Sequence, residues 1–256
     1  MKTKKTEGRS DSLVESQPAD RVSTTLAQDL FDGVAQSYDT WAQVLTFFQY
    51  LPWRRFLVSQ MAPRPRNLVL DVCTGTAGVA LEIARQHNGQ ILGLDVSRSM
   101  LEAGLGAVEK KSLDGRIQLI QGRAEHLPFP DETFDTVVFT YLLRYVQEPD
   151  ATIRELSRVL KPGGELLSLE LGVPESFWIQ ALWLIYYRVV MPILTIPISR
   201  GWHRMGCFLG PNISDFYQRC PVDRIAAIWR ENGIPLVETK PLLKGAAIVM
   251  WGTKRR

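Results

Sequence analysis

Apolar residues fall along this chain in two rhythms, short continuous runs and longer stretches with helical spacing. The first run, Leu68 to Val72, is too short for a helix and rich in Val and Leu, which reads as a buried parallel strand. A turn follows, Thr74-Gly75-Thr76-Ala77-Gly78, and then Val79, Ala80, Ile83 and Ala84 recur at helical spacing. A second run, Gln90 to Leu94, ends in Asp95. The alternation continues with a helix over Met100 to Lys111, N-capped by Ser97, and strands over Arg116 to Gln121 and Phe134 to Thr140. A helix over Pro149 to Leu160 is stopped by Lys161-Pro162-Gly163-Gly164, and Glu165 to Leu171 is a fifth strand. A later helix, Pro221 to Asn232, precedes two last strands, Leu236 to Thr239 and Ala246 to Gly252. Their short connection requires antiparallel pairing. The pattern predicts an α/β fold: a seven-stranded, mostly parallel sheet with a reversed strand at its end and helices on both faces.

Two stretches stand outside this alternation. Leu30 to Arg55 carries Phe31, Val34, Trp41, Val44, Leu45 and Phe48 at helical spacing. It predicts one or two amphipathic helices, a cap that either closes over a ligand at Tyr38-Asp39 or only packs on the sheet. Phe177 to Ile198 is apolar over a length that can span a bilayer. Arg188 at its middle, Pro192 and Pro197 argue against crossing, and a single crossing would separate the last hairpin from its sheet. The stretch reads as an apolar lid over residues 174–215, either buried or touching a membrane surface. Trp178, Trp183, Tyr186, Tyr187 and Trp202, with Arg188, Arg200 and Arg204, suit such an interface. Residues 1–25 are polar, with Lys2, Lys4 and Lys5 and no apolar core. They read as a disordered lead-in, not a secretory signal, before one domain over 26–256.

Composition narrows the picture modestly. A net charge of +3 over 256 residues is too small and scattered to argue for nucleic acid. Cys73, Cys207 and Cys220 show no CxxC spacing, and His87, His126 and His203 show no ligand spacing, so no metal is expected and a reducing cytoplasm fits. A homodimer is left open. The turn carries more. Gly75 lets the backbone bend sharply against a ligand, and the helix it opens has unpartnered N–H groups. Asp95 follows at the end of the next strand, where a carboxylate can accept both hydroxyls of a ribose. A nucleoside-containing cofactor is implied, without saying which.

Together these segments resemble the class I S-adenosylmethionine-dependent methyltransferases, a Rossmann-like fold, and most closely the quinol C-methyltransferases of ubiquinone and menaquinone biosynthesis. The matching pieces are FDGVAQSYD, VLDVCTGTAGVAL, GLDVSRSML, AEHLPFPDETFDTVV, RELSRVLKPGGELLSLE and the C-terminal RENGIPLVETKPLLKGAAIVMWGTK. LLRYV and YYRVVMPIL look like the quinol branch. The resemblance implies S-adenosylmethionine bound by Tyr38, Asp71, Thr74, Gly75, Thr76, Asp95, Val96, Met100, Arg123, Ala124, Glu125 and Thr140. Within that set Gly75 and Thr76 face the methionine part, Asp95 the ribose, and Arg123 and Ala124 the adenine. Thr140 lies near the reacting methyl. Two positions depart from the family pattern. Ala77 stands where the glycine motif has its later glycine, so a methyl is expected to crowd the cofactor. Arg123 stands where Asp or Asn is usual; it cannot accept from the adenine amino group, leaving that to backbone or Glu125.

For a quinol acceptor, the attacking carbon gains nucleophilicity as a neighbouring hydroxyl loses its proton, and a cation near that oxygen helps. Arg144 is the catalytic candidate; the alternative is that it only pairs with Glu148 or Asp150. Tyr141, Tyr145 and Tyr187 are candidates to line the acceptor pocket. Three rivals remain at this point: a phospholipid amine or sterol acceptor, a nicotinamide oxidoreductase, and a non-catalytic partner protein. The absence of GxGxxG and the final hairpin disfavour the second.

Overall fold

Strand β1 (Leu68–Val72) lies at the middle of a seven-stranded sheet of order β3-β2-β1-β4-β5-β7-β6. The computed structural model describes residues 18–65 and 67–256. The remaining strands are β2 (Gln90–Asp95), β3 (Ile117–Gln121), β4 (Phe134–Thr140), β5 (Leu160–Leu171), β6 (Val237–Leu242) and β7 (Ala247–Thr253). The first five pair in parallel. β7 is the reversed strand, but it does not close the sheet. It lies between β5 and β6, antiparallel to both. Its buried Ala247–Met250 run suits a central place, whereas β6, largely exposed and carrying Pro241, suits an edge.

Nine helices surround the sheet among the described residues. They are α1 (Pro18–Asp32), α2 (Tyr38–Leu45), α3 (Tyr50–Ser59), α4 (Gly78–Gln86), α5 (Arg98–Glu109), α6 (Pro149–Val159), α7 (Phe177–Thr195), α8 (Arg200–Arg219) and α9 (Val222–Glu231). Of the lead-in expected over residues 1–25, residues 1–17 lie outside the described chain, and α1 begins at Pro18. The helix predicted to Leu160 ends at Val159; Leu160 already pairs in β5, with Lys161 to Gly164 bulging from the ladder.

Strand alternation sorts the core into two layers. Val69, Val138, Leu167, Leu169 and Val249 face α3, α4, α7 and α8. Leu70, Val72, Val137, Phe139, Leu166 and Met250 face α6 and α9. Strand order runs from β1 through β2 to β3 in one direction and from β4 to β5 in the other. The two halves diverge at β1 and β4, leaving a crevice beyond their C-terminal ends, where open α/β sheets bind ligands.

Helices α1–α3 and the α7–α8 pair roof that crevice. Trp183, Tyr187, Met191 and Thr195 form the buried face of α7. Their strict spacing of four is kept on one side by a wider π-type turn at Tyr186–Val190. A Cβ on Gly210 of α8 would meet the Tyr187 carbonyl oxygen at 2.9 Å, so glycine there sets how closely the two helices approach. The roof's halves are joined by hydrogen bonds from Trp202 Nε1 to Ser37 Oγ (2.9 Å) and from Tyr186 OH to the Leu45 carbonyl (2.5 Å). Trp183, Tyr187 and Trp202 are therefore interior residues, and of the two alternatives expected for them, burial or a membrane interface, burial holds.

Candidate active site

The turn after β1 is wound tightly. Cys73 (φ +57°), Gly75 (φ +55°) and Ala77 (φ +62°) all adopt left-handed conformations, and Tyr141 (φ +56°) does so just beyond β4. For residues with a Cβ this costs on the order of 1–3 kcal/mol each, and such strain gathers at functional sites. Asp71 holds the turn from beneath. Its Oδ2 accepts from Thr74 Oγ1 (2.7 Å) and from the Ala80 N–H (3.1 Å), while Oδ1 is buried without a partner. Burial pushes its carboxyl up to about 7. Asp71 does not line the crevice, so the expected direct cofactor contact becomes support of the turn. Ala77 differs from expectation in the same way: its methyl is fully buried in the core, and the cost of alanine there is conformational rather than a clash with a ligand.

Asp95 faces the turn from the end of β2. It accepts the Gly75 N–H (2.8 Å) through Oδ2 and the Ser97 N–H (2.9 Å) through Oδ1. Burial raises its carboxyl to about 6, against the pull of those backbone donors. Ser97 caps α5 by accepting from the Met100 N–H (3.1 Å) and donates to Asp32 of α1 (2.5 Å), which ties the cap to the cofactor side. Around these groups lies a cavity that opens to solvent. Its walls include Tyr38, Thr74, Gly75, Thr76, Asp95, Val96, Met100, Arg123, Ala124, Glu125, Thr140, Tyr141 and Tyr145. Eleven of the twelve residues expected to hold the cofactor are therefore brought together, Asp71 being the exception. Arg123 is half-exposed and pairs with Glu125 at 3.7 Å.

Arg54 was not foreseen. Its guanidinium enters this cavity from α3, with Nη1 donating to Asp39 (3.1 Å), Nη2 donating to the Tyr50 hydroxyl, and the group lying 3.8 Å from the Tyr50 ring centre. It rests on Gly78: a Cβ there would fall 2.0 Å from Nη1. A buried cation thus sits at the N-terminus of α4, which favours an anion. Thr76 Oγ1, buried and unpaired, is nearby on the same turn. Residues 54 and 78 are far apart in sequence, and an arginine in an amphipathic helix carries no local sign of such a contact.

A second cavity adjoins the first. The two share Phe31, Tyr38, Tyr50, Tyr141 and Tyr145 as a common wall. Beyond that wall the second is lined by Leu45, Leu171, Tyr187, Met191, Trp202, Met205 and Leu209, with Arg144 as its one charged lining residue. Arg144 pairs with neither Glu148 nor Asp150. Its Nη1 donates to buried Glu170 at 2.9 Å, and Asp150 instead takes Arg154. Glu170 Oε1 accepts the N–H groups of Leu142 (2.7 Å) and Leu143 (2.9 Å). Burial keeps the Glu170 carboxyl above its ordinary range even beside this cation. Arg144 Nε and the Tyr141 hydroxyl are left buried without partners.

A polar cleft at the switch point, meeting an apolar chamber across an aromatic wall, admits several chemistries. Comparison with known proteins decides the class. The family model for the ubiE/COQ5 methyltransferase family matches residues 19–254. The chain belongs to that family. Among its relatives, the demethylmenaquinone methyltransferase of Geobacillus kaustophilus is 34% identical over 228 residues, covering 88% of this chain and 95% of that protein. The enzyme of the same name from Symbiobacterium thermophilum is 33% identical over 232 residues, covering 90% and 92%. Solved structures share the fold at low identity. An S-adenosyl-L-methionine-dependent methyltransferase from Methanococcus maripaludis, itself described as putative, aligns with a TM-score of 0.59 at 20% identity, covering 97% and 98%. The [4+2]-cyclase SpnF aligns at 0.62 and 17%, covering 91% and 96%. The ubiE/COQ5 assignment makes the chain a methyltransferase and removes the nicotinamide oxidoreductase alternative. No cluster of His, Cys, Asp or Glu able to hold a metal ion occurs among the described residues.

Proposed function

We propose that this chain transfers the methyl group of S-adenosylmethionine to a ring carbon of a prenylated quinol, working in the cytoplasm at a membrane surface. The observation that carries the reading is the pair of adjoining cavities, one floored by Thr76 and Asp95, the other apolar with a single charged group, Arg144. The relatives named as demethylmenaquinone methyltransferases support the acceptor class.

The first cavity suits S-adenosylmethionine by its donors and acceptors. Asp95 is placed to take the ribose hydroxyls, Arg54 with unpaired Thr76 the carboxylate end, and Ala124 and Glu125 the adenine edge. When bound, S-adenosylmethionine supplies an electrophilic methyl on a sulfonium. The protein's part is orientation and exclusion of water. In the second cavity Arg144 is the catalytic residue of this reading. Its unpaired Nε–H holds the quinol oxygen as it becomes a phenolate, directly or through a water that takes the proton. Glu170 is a positioning residue, because both its oxygens are already engaged and fix where the guanidinium points. Tyr141, Tyr145 and Tyr187 flank the ring of the acceptor.

The test is turnover with S-adenosylmethionine across soluble short-chain naphthoquinols, benzoquinols, a phospholipid amine and a sterol. Methylation confined to quinols, and lost in Arg144→Ala with S-adenosylmethionine binding intact, is the expected result. Cofactor binding with no turnover on any acceptor would overturn the catalytic reading in favour of a non-catalytic partner.

A further inference from the structure

Helix α7 is apolar on both sides. Its inner stripe packs into the fold, yet no described residue covers the outer one. Trp178, Leu182, Ile185, Val189 and Ile193, spaced by three or four residues along one face, and Ile196 just past the helix end, are each more than half exposed. The helix is long and apolar enough to cross a membrane by length and composition, but its inner stripe is committed to the domain, so it can only lie flat. A second feature adjoins it. In the turn between α2 and α3, Phe47 (φ +52°) and Phe48 (φ +62°) are consecutive left-handed residues, both 64% exposed. Left-handed phenylalanine is costly, and this pair is held by design of its neighbours: Gln43 donates to the Phe48 carbonyl (2.9 Å) and accepts the Leu51 N–H (3.0 Å). Phe47 lies 5.2 Å, ring to ring, from Tyr186 of α7, so turn and stripe form one continuous surface.

Charge identifies what covers it. From Ser176 to Ser214 the sequence holds no acidic residue and three arginines, Arg188, Arg200 and Arg204, all exposed. An apolar face on a segment whose only charges are arginines matches the hydrocarbon boundary and headgroups of an anionic bilayer, although Arg188 also lines a cleft with Glu175 and Asp223 on the other side of α7. The same two elements wall the acceptor cavity: Leu45 and Thr46 run directly into Phe47, and Tyr187 and Met191 are the inner face of α7. We infer that the outer face of α7 and the Phe47–Phe48 turn together dock on an anionic lipid surface and set the acceptor cavity at the leaflet, so that a quinol's head enters while its tail stays in the bilayer. The route of the quinol rests on the function proposed above; the docking itself does not.

The experiment is flotation of the full chain with vesicles of phosphatidylcholine alone or mixed with phosphatidylglycerol, beside sedimentation in solution. The native chain should float with the anionic vesicles. Phe47→Ser/Phe48→Ser, and separately Trp178→Ser/Leu182→Ser, should each lower binding about tenfold or more with unchanged melting temperature and unchanged turnover of a soluble short-chain quinol. Arg200→Gln/Arg204→Gln should lower binding to the anionic vesicles only. No flotation of the native chain, or variants that float as well as native, would overturn the proposal. So would a stable dimer in solution that these substitutions dissociate, since a second copy would then be the cover. If flotation holds but no quinol is methylated, the acceptor reading falls while the docking stands.

Discussion

Replacing Glu170 by glutamine should separate what the buried pair does for stability from what it does for catalysis. The carboxylate meets Arg144 Nη1 at 2.9 Å, and the two side chains are 4% and 6% exposed. Glutamine keeps the shape, and its carbonyl can still receive the Leu142 and Leu143 N–H groups. Its amide then faces a guanidinium donor with donors of its own, leaving a cation buried without a counter-charge. Breaking a buried pair from one side costs about 3–5 kcal/mol. For a chain of this size that corresponds to a fall in melting temperature of about 6–20 °C. Arg144→Met/Glu170→Gln removes the cation as well and should recover most of that loss, because a neutral amide beside an apolar side chain strands no charge. The assays are thermal unfolding and steady-state turnover of a soluble quinol. Glu170→Gln should lower kcat with little change in the KM for S-adenosylmethionine, and in an Arg144→Met background it should lower kcat no further. A kcat unchanged by Glu170→Gln, or losses that simply add, would refute the idea that Glu170 acts by positioning Arg144. A melting temperature within a degree or two of the native value would refute the buried pair itself.

Three further outcomes follow from the cofactor side. Because Asp95 accepts hydrogen bonds in this reading and its carboxyl is raised to about 6, calorimetric S-adenosylmethionine affinity should fall as pH drops below about 6, and Asp95→Ala should abolish binding. Asp71 is raised to about 7, so the native state retains a proton that the unfolded chain has released above about pH 4; its contribution to stability declines as pH rises through that window. Asp71→Asn should accordingly raise the melting temperature more at pH 8 than at pH 5, and an equal shift at both would count against a buried titrating Asp71. Gly78→Ala should push the Arg54 guanidinium off its seat and weaken S-adenosylmethionine binding as Arg54→Ala does, about tenfold, with little change in unfolding; unchanged affinity in both would remove Arg54 from the carboxylate subsite.

Much of this protein could be read along the chain. The seven strands, the helices between them and the turn at Thr74–Gly78 are each encoded within a few residues, because strand and helix periods are local and because a left-handed turn and a helix cap announce themselves by residue type. Asp95 was legible for the same reason: one βαβ unit fixes its place relative to Gly75. What the tertiary structure alone decided are pairings between distant segments. β7 entered between β5 and β6 because its apolar run needs two neighbours and polar β6 needs only one. Arg144 has acids close by in sequence, but it pairs with Glu170 because the end of β5 delivers that carboxylate to the 142–144 turn. Arg54 became a site residue only when α3 crossed Gly78, and Asp71 and Ala77 proved to face the core rather than the cleft. On α7 the sequence determines that nearly every position is apolar. Which stripe is buried and which is left bare depends on where the rest of the fold lies, and hydrophobicity with no polar face to break the symmetry cannot say.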